Sequence, residues 1–102
     1  MNKPDLEKAR REANRWFILQ CLDSARPMGA GEALVMSALV GVTQMTHNEL
    51  RRELDYLEER ELIEVSGKDS PHWHSKLTRV GVDLVEYTIP CEPGIARPQK
   101  YW

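Results

Sequence analysis

The chain has 102 residues, 41% hydrophobic and 29% charged, which is enough for one small packed core and too short for two. That balance excludes wholesale disorder, and the longest apolar runs, Trp16-Phe17-Ile18-Leu19 and Ala33-Leu34-Val35-Met36, fall far below the ~18 residues of a membrane span. A net charge of −2 gives no overall basic footprint, so any nucleic-acid contact must come from a local cluster.

The first predicted helix begins after Pro4, a residue suited to a helix start, with Asp5 and Glu7 favouring the positive end of the helix dipole. It runs to about Ala25 and stops before Arg26-Pro27. Ile18, Leu19 and Leu22 recur on it at helical spacing, extended backwards by Leu6, Ala9 and Ala13. If that row faces the core, Trp16 and Gln20 point largely away from it. Trp16 is then either a partner surface or covered by the C-terminal segment through Tyr101 or Trp102. Cys21 lies within this apolar helix and reads as packed core; with Cys91 it is expected to be a free thiol in a reducing cytoplasm, since no secretory signal precedes it.

A second helix is expected from about Gly31 to Val40, after the breaker Gly29-Ala30-Gly31, carrying Leu34, Val35, Ala38 and Leu39. The third has the clearest start in the sequence. Thr46-His47-Asn48-Glu49 is a capping box, and Leu50, Leu54 and Leu57 behind it form an i, i+4, i+7 stripe to about Arg60.

The period then changes from 3.6 to 2. Ile63 and Val65 share one strand face, and Trp73, Ser75 and Leu77 share another, with the turn formers Ser66 to Pro71 between them. Thr78 can cap a last short helix carrying Val80, Leu84 and Tyr87. Residues 89–102 hold Pro90, Pro93, Gly94 and Pro98 and are expected to form an extended tail beyond a domain of residues 1–88.

Three helices, a hairpin and a helix make a mainly α architecture with a two-stranded β-wing. Glu49 to Val65, followed by Leu77-Thr78-Arg79-Val80-Gly81, resembles the "L-x-x-L-E-x-x-G-L-I … L-T-x-x-G" pattern of ArsR- and MarR-type bacterial regulators. The resemblance covers residues 15–88 and implies a winged helix-turn-helix. Glu61 stands where that pattern commonly has Gly, and the connection from Val40 to Thr46 is longer than usual. The closing Gly94-Ile95-Ala96-Arg97-Pro98 is also similar to small winged-helix proteins of Mu-like prophages.

The resemblance implies a regulator that binds double-stranded DNA with the third helix in the major groove, as a homodimer joined through terminal helices; Leu6 and, if it is exposed, Trp16 are the candidate dimer contacts. On a helical wheel Asn48, Arg52, Asp55 and Glu59 face outward, flanked by His47 and Arg51. Asn can pair with adenine and Arg can grip guanine with two hydrogen bonds; the same residues can equally form a solvated face. Thr46, His47, Asn48, Arg51 and Arg52 are the candidate groove contacts. Lys68, Lys76 and Arg79 on the wing are candidate phosphate contacts.

His72 and His74 project to one side of a strand, but with Cys21 and Cys91 they make no set of three or four converging ligands, so no metal and no cofactor are expected. Nor is there a glycine-rich phosphate loop or a nucleophile-base pairing, so the chain does not read as an enzyme. One feature favours a rival reading, a protein-protein adaptor that has lost DNA binding. Residues 29–65 carry three basic and eight acidic side chains, a balance of −5.

Overall fold

The computed structural model describes residues 5–100, so Tyr101 and Trp102, the expected covers of Trp16, lie outside it. In chain order the elements are α1 (Leu6–Ser24), β1 (Ala30–Gly31), α2 (Glu32–Leu39), α3 (His47–Glu59), β2 (Ile63–Ser66), β3 (His74–Leu77) and α4 (Arg79–Val85). This is a winged helix: α1, α2 and α3 pack together, and a small antiparallel sheet lies beside them.

Local chemistry sets the helix ends. Asp5 caps α1 by accepting from the Lys8 amide at 2.9 Å. In α3 the Thr46 hydroxyl accepts from the Glu49 amide and the Glu49 carboxylate accepts from the Thr46 amide, the reciprocal capping box. That amide is the main reason the Glu49 carboxyl lies below its ordinary pKa. At the other end of α3 the Glu61 amide donates to the Glu58 carbonyl and the Leu62 amide to that of Leu57, a Schellman closure. Glu61 takes the left-handed conformation the closure needs, at φ +63°. The helix therefore ends as the pattern requires, without the usual glycine. Tyr87, at φ +62°, closes α4 the same way, so it lies past the helix rather than on it.

The core forms where the apolar faces meet. Leu50, Leu54 and Leu57 of α3 are buried against Ile18, Leu19 and Leu22 of α1, with Val35, Ile63 and Leu84 closing the sides. Burial on α4 differs from expectation. Val80 is exposed, and Gly81, Val82 and Leu84 face inward. The turn of the helix follows from Gly81: a Cβ there would fall on the Leu62 carbonyl oxygen, which already accepts from the Thr78 amide. The Gly of the L-T-x-x-G pattern is thus a close-packing residue.

Two further expectations are corrected. The sheet has three strands, in the order β1-β3-β2, because the supposed breaker at residues 29–31 pairs Ala30 with Ser75 and Gly31 with His74. Gly29, at φ +77°, makes this possible, since a side chain there would meet the Ser75 carbonyl. Trp16 is only 6% exposed; its ring meets Tyr87 edge to face, with centroids 6.3 Å apart. The wheel reading placed it outside because it counted only neighbours on α1 and missed the turn after α4.

The segment after α4 has no regular structure but folds back on the domain. Ile95 enters the core, the Ala96 amide donates to the Glu12 carbonyl, and Arg15 and Arg60 donate to the carbonyls of Gly94 and Pro93. Arg97 donates to the carbonyls of Leu84 and Ile89.

Candidate nucleic-acid interface

The outward row of α3 starts at its capped N-terminus. Asn48 and Arg52 sit one turn apart, both exposed, and neither has a hydrogen-bond or ion-pair partner among the described residues. His47 stands beside them, 62% exposed at the side chain, with Nδ1 3.8 Å from Glu32. Thr46 is exposed too, although its oxygen is engaged in the cap. These four residues form one contiguous end of the helix, carrying amide, guanidinium, imidazole and hydroxyl groups.

The structure does not bring Arg51 to that surface. Its Nε and Nη2 donate to Glu32 Oε2 and Oε1 at 2.8 and 2.6 Å, and Nη2 also reaches the Pro71 carbonyl at 3.0 Å. Its guanidinium lies over the Trp73 ring, 4.7 Å from the centroid. Glu32 is buried and also accepts from the Trp73 amide at 3.1 Å. The bidentate Arg51 contact is the largest reason its carboxyl is pushed down to about 2, while desolvation opposes that shift and the Trp73 amide adds to it. Glu32, at the start of α2, therefore ties α3 and the wing to one point. Sequence reasoning missed it because its partners lie 19 and 41 positions away; the available signal was a lone acidic residue opening an otherwise uncharged helix.

Lys68 is likewise turned inward. Its ammonium donates to Asp55 and to Glu58, both at 2.6 Å, and sits 5.2 Å from the centroid of Trp73. Those bonds, Asp55 first, raise its pKa. Trp73 is thus flanked by two cations. Lys76 and Arg79 are exposed, with looser contacts of 3.7 Å to Glu64 and Asp83.

The acidic balance of residues 29–65 looks different once partners are assigned. Glu53 is buried against Arg15 at 2.7 Å, Glu49 meets Arg10 at 3.2 Å, and Asp55 and Glu58 hold Lys68. Only Glu59 and Glu61 of the eight acidic groups lack a partner among the described residues. Most of the negative charge is neutralised by cations from α1 and the wing, and the N-terminal end of α3 presents no unpaired carboxylate. Among the described residues no three His, Cys, Asp or Glu converge, and no helix is long and apolar enough to cross a membrane.

Helices α1 to α3 with the three-stranded sheet define the winged-helix class. The fold is shared with a solved structure of an S. aureus MepR mutant bound to an oligodeoxyribonucleotide. The two superpose with a TM-score of 0.59 over 72% of this chain, at 24% identity, and the chain spans about half (51%) of that protein's length. No family model and no curated protein matches the sequence.

Proposed function

We propose that the chain is a DNA-binding winged-helix protein, a small bacterial or prophage transcriptional regulator working in the cytoplasm as a homodimer. The observation that carries this is the unpartnered Asn48–Arg52 row at the capped end of α3. In helix-turn-helix docking the N-terminal residues of the reading helix contact base edges. Asp55 and Glu59, further along the same row, disfavour phosphates, so the helix enters the major groove end-on. Its contacts are then Thr46, His47, Asn48 and Arg52, while Lys68, Lys76 and Arg79, whose carboxylate pairs all lie at the surface, can exchange them for the phosphate backbone. The fold shared with a DNA-bound protein supports the same reading.

An electrophoretic shift assay with duplex promoter fragments tests it. Wild type should retard DNA at ~50 mM salt and less at ~200 mM. Arg52→Ala should lose ~1–3 kcal/mol on the preferred sequence and relax the preference at one base pair. No shift at ~50 mM salt, where non-specific attraction is strongest, overturns the DNA reading. A second reading, a protein-protein adaptor, draws on Arg51 and Lys68 being held by carboxylates; that result would favour it.

A further inference from the structure

The reading end of α3 projects past the core that holds the rest of the helix. Leu50 is its first buried residue, and Thr46, His47 and Asn48 before it are exposed. The segment leading into it, Val40 to Met45, is scarcely better packed. Val40 and Val42 are 76% and 57% exposed, and a cleft of about 190 Å³ lies among Met36, Leu39, Thr43 and Met45. The connection is also longer than is usual in a helix-turn-helix, which leaves its backbone more freedom. Polar tethers from α1 supply what packing does not. Among the described residues, the side-chain hydrogen bonds that reach residues 40–49 from other elements come from two residues one turn apart on α1. The Thr43 hydroxyl donates to Asn14 Oδ1 at 2.7 Å, and Asn14 is buried. Arg10 donates from Nη1 to Glu49 at 3.2 Å and from Nη2 to the Gln44 carbonyl. Glu49 is the residue whose carboxylate closes the capping box on the Thr46 amide, so Arg10 grips the cap itself. His47 adds the looser approach to Glu32, at 3.8 Å.

We infer that Arg10 and Asn14 are positioning residues for the reading end of α3: without touching DNA, they hold Thr46, His47 and Asn48 at the angle from which bases are read. The inference rests on the DNA-binding function proposed above and adds the residues on which its sequence preference depends. A first turn that swings can still find phosphates, because backbone contacts carry no sequence information. Base edges are less forgiving, since their donors and acceptors must meet the side chain nearly in line. Loosening the turn therefore erodes discrimination and spares non-specific attraction. The size of the effect is bounded. A tether shifts the balance between held and swung turns by no more than its own free energy. For one hydrogen bond that is a factor of ~5.

Binding of the full chain to a duplex selected from a random pool, and to a scrambled version of it, tests this across a salt series. Arg10→Ala should cut the ratio of specific to non-specific affinity by ~3- to 10-fold. Thr43→Val, which removes the Asn14 bond from the turn side and leaves α1 intact, should do the same. The salt slope should stay within ~0.3 of wild type, because no phosphate contact is lost. Thr43→Ser keeps the hydroxyl and Arg10→Lys keeps a charged donor, so both should retain most of the discrimination. In the free protein, Arg10→Ala should quicken amide exchange at Glu49 and Leu50, which donate to Thr46, and not at Leu57. A slope lowered by about one unit in Arg10→Ala would make Arg10 a phosphate contact and overturn its positioning role. An unchanged ratio with wild-type binding intact overturns the tethers alone, as does unchanged exchange at Glu49. So does a fall in both affinities that merely tracks lost helicity. A wild type that shifts neither duplex overturns the DNA reading, and this inference with it.

Discussion

The wing is fastened from two sides by cations of equal charge, and the two fastenings behave as opposites. On one side Arg51 meets Glu32, a carboxylate 5% exposed that also holds the Trp73 amide. On the other, Lys68 meets Asp55 and Glu58 at the surface, where all three side chains are a third to a half exposed. A buried carboxylate cannot trade its partner for water, because an unpaired charge there is costly. A surface lysine exchanges partners at little cost, since exposed pairs are worth well under 1 kcal/mol. Burial, not charge, therefore decides which cation is a fixed part of the fold and which can exchange its partners. In the sequence both read as candidate DNA contacts, Arg51 to the groove and Lys68 to phosphate.

The largest test is Glu32→Ala. It strands the Trp73 amide and the Arg51 guanidinium together and should destabilise by ~2–4 kcal/mol in denaturant melts. A loss no greater than that of Lys68→Ala would erase the distinction between the two fastenings. Acid gives the same contrast without mutation. The Glu32 carboxyl titrates at about 2 when folded against 4.5 unfolded, so its stabilisation is complete above 4.5 and is lost as pH falls towards 2. Subtracting the acid profile of Glu32→Gln from that of wild type should isolate a component lost between those limits.

A change at the root of the wing should matter less. Glu61→Gly relieves the left-handed backbone at the end of α3 and should stabilise by ~0.5–1 kcal/mol without touching either fastening. A destabilised variant would mean that the Glu61 side chain holds something beyond the turn. The smallest expected effect is Lys68→Ala, under ~0.5 kcal/mol on stability. On DNA the same variant should lower the salt slope by roughly one unit and weaken all sequences about equally, since a phosphate contact carries no sequence information. An unchanged slope would mean that Lys68 stays with Asp55 and Glu58 in the complex.

What could be read from the sequence was local. The Thr46 cap, the leucine stripe of α3, the alternation of β2 and β3 and the Thr78 cap each depend on residues within a few positions. What escaped depends on distant partners. β1 is two residues long and exists only because Ser75 and His74 come alongside, and Trp16 is covered by a tyrosine 71 positions later. At the candidate interface the outward row of Asn48 and Arg52 was legible from helical spacing alone. The inward turn of Arg51 and Lys68 was not, because a charge pattern does not say which carboxylate folding brings near.

The returning C-terminal segment has a kinetic consequence. Arg15 and Gly94 meet across 79 positions, so their contact closes one of the longest loops in the domain. Such contacts form late, after local helices and the hairpin have made most of the transition state. Removing the buried Ile95 side chain should therefore leave the refolding limb of a chevron nearly in place and steepen the rate of opening. The last segment to settle acts as a latch on the time the fold persists more than on the speed at which it is reached.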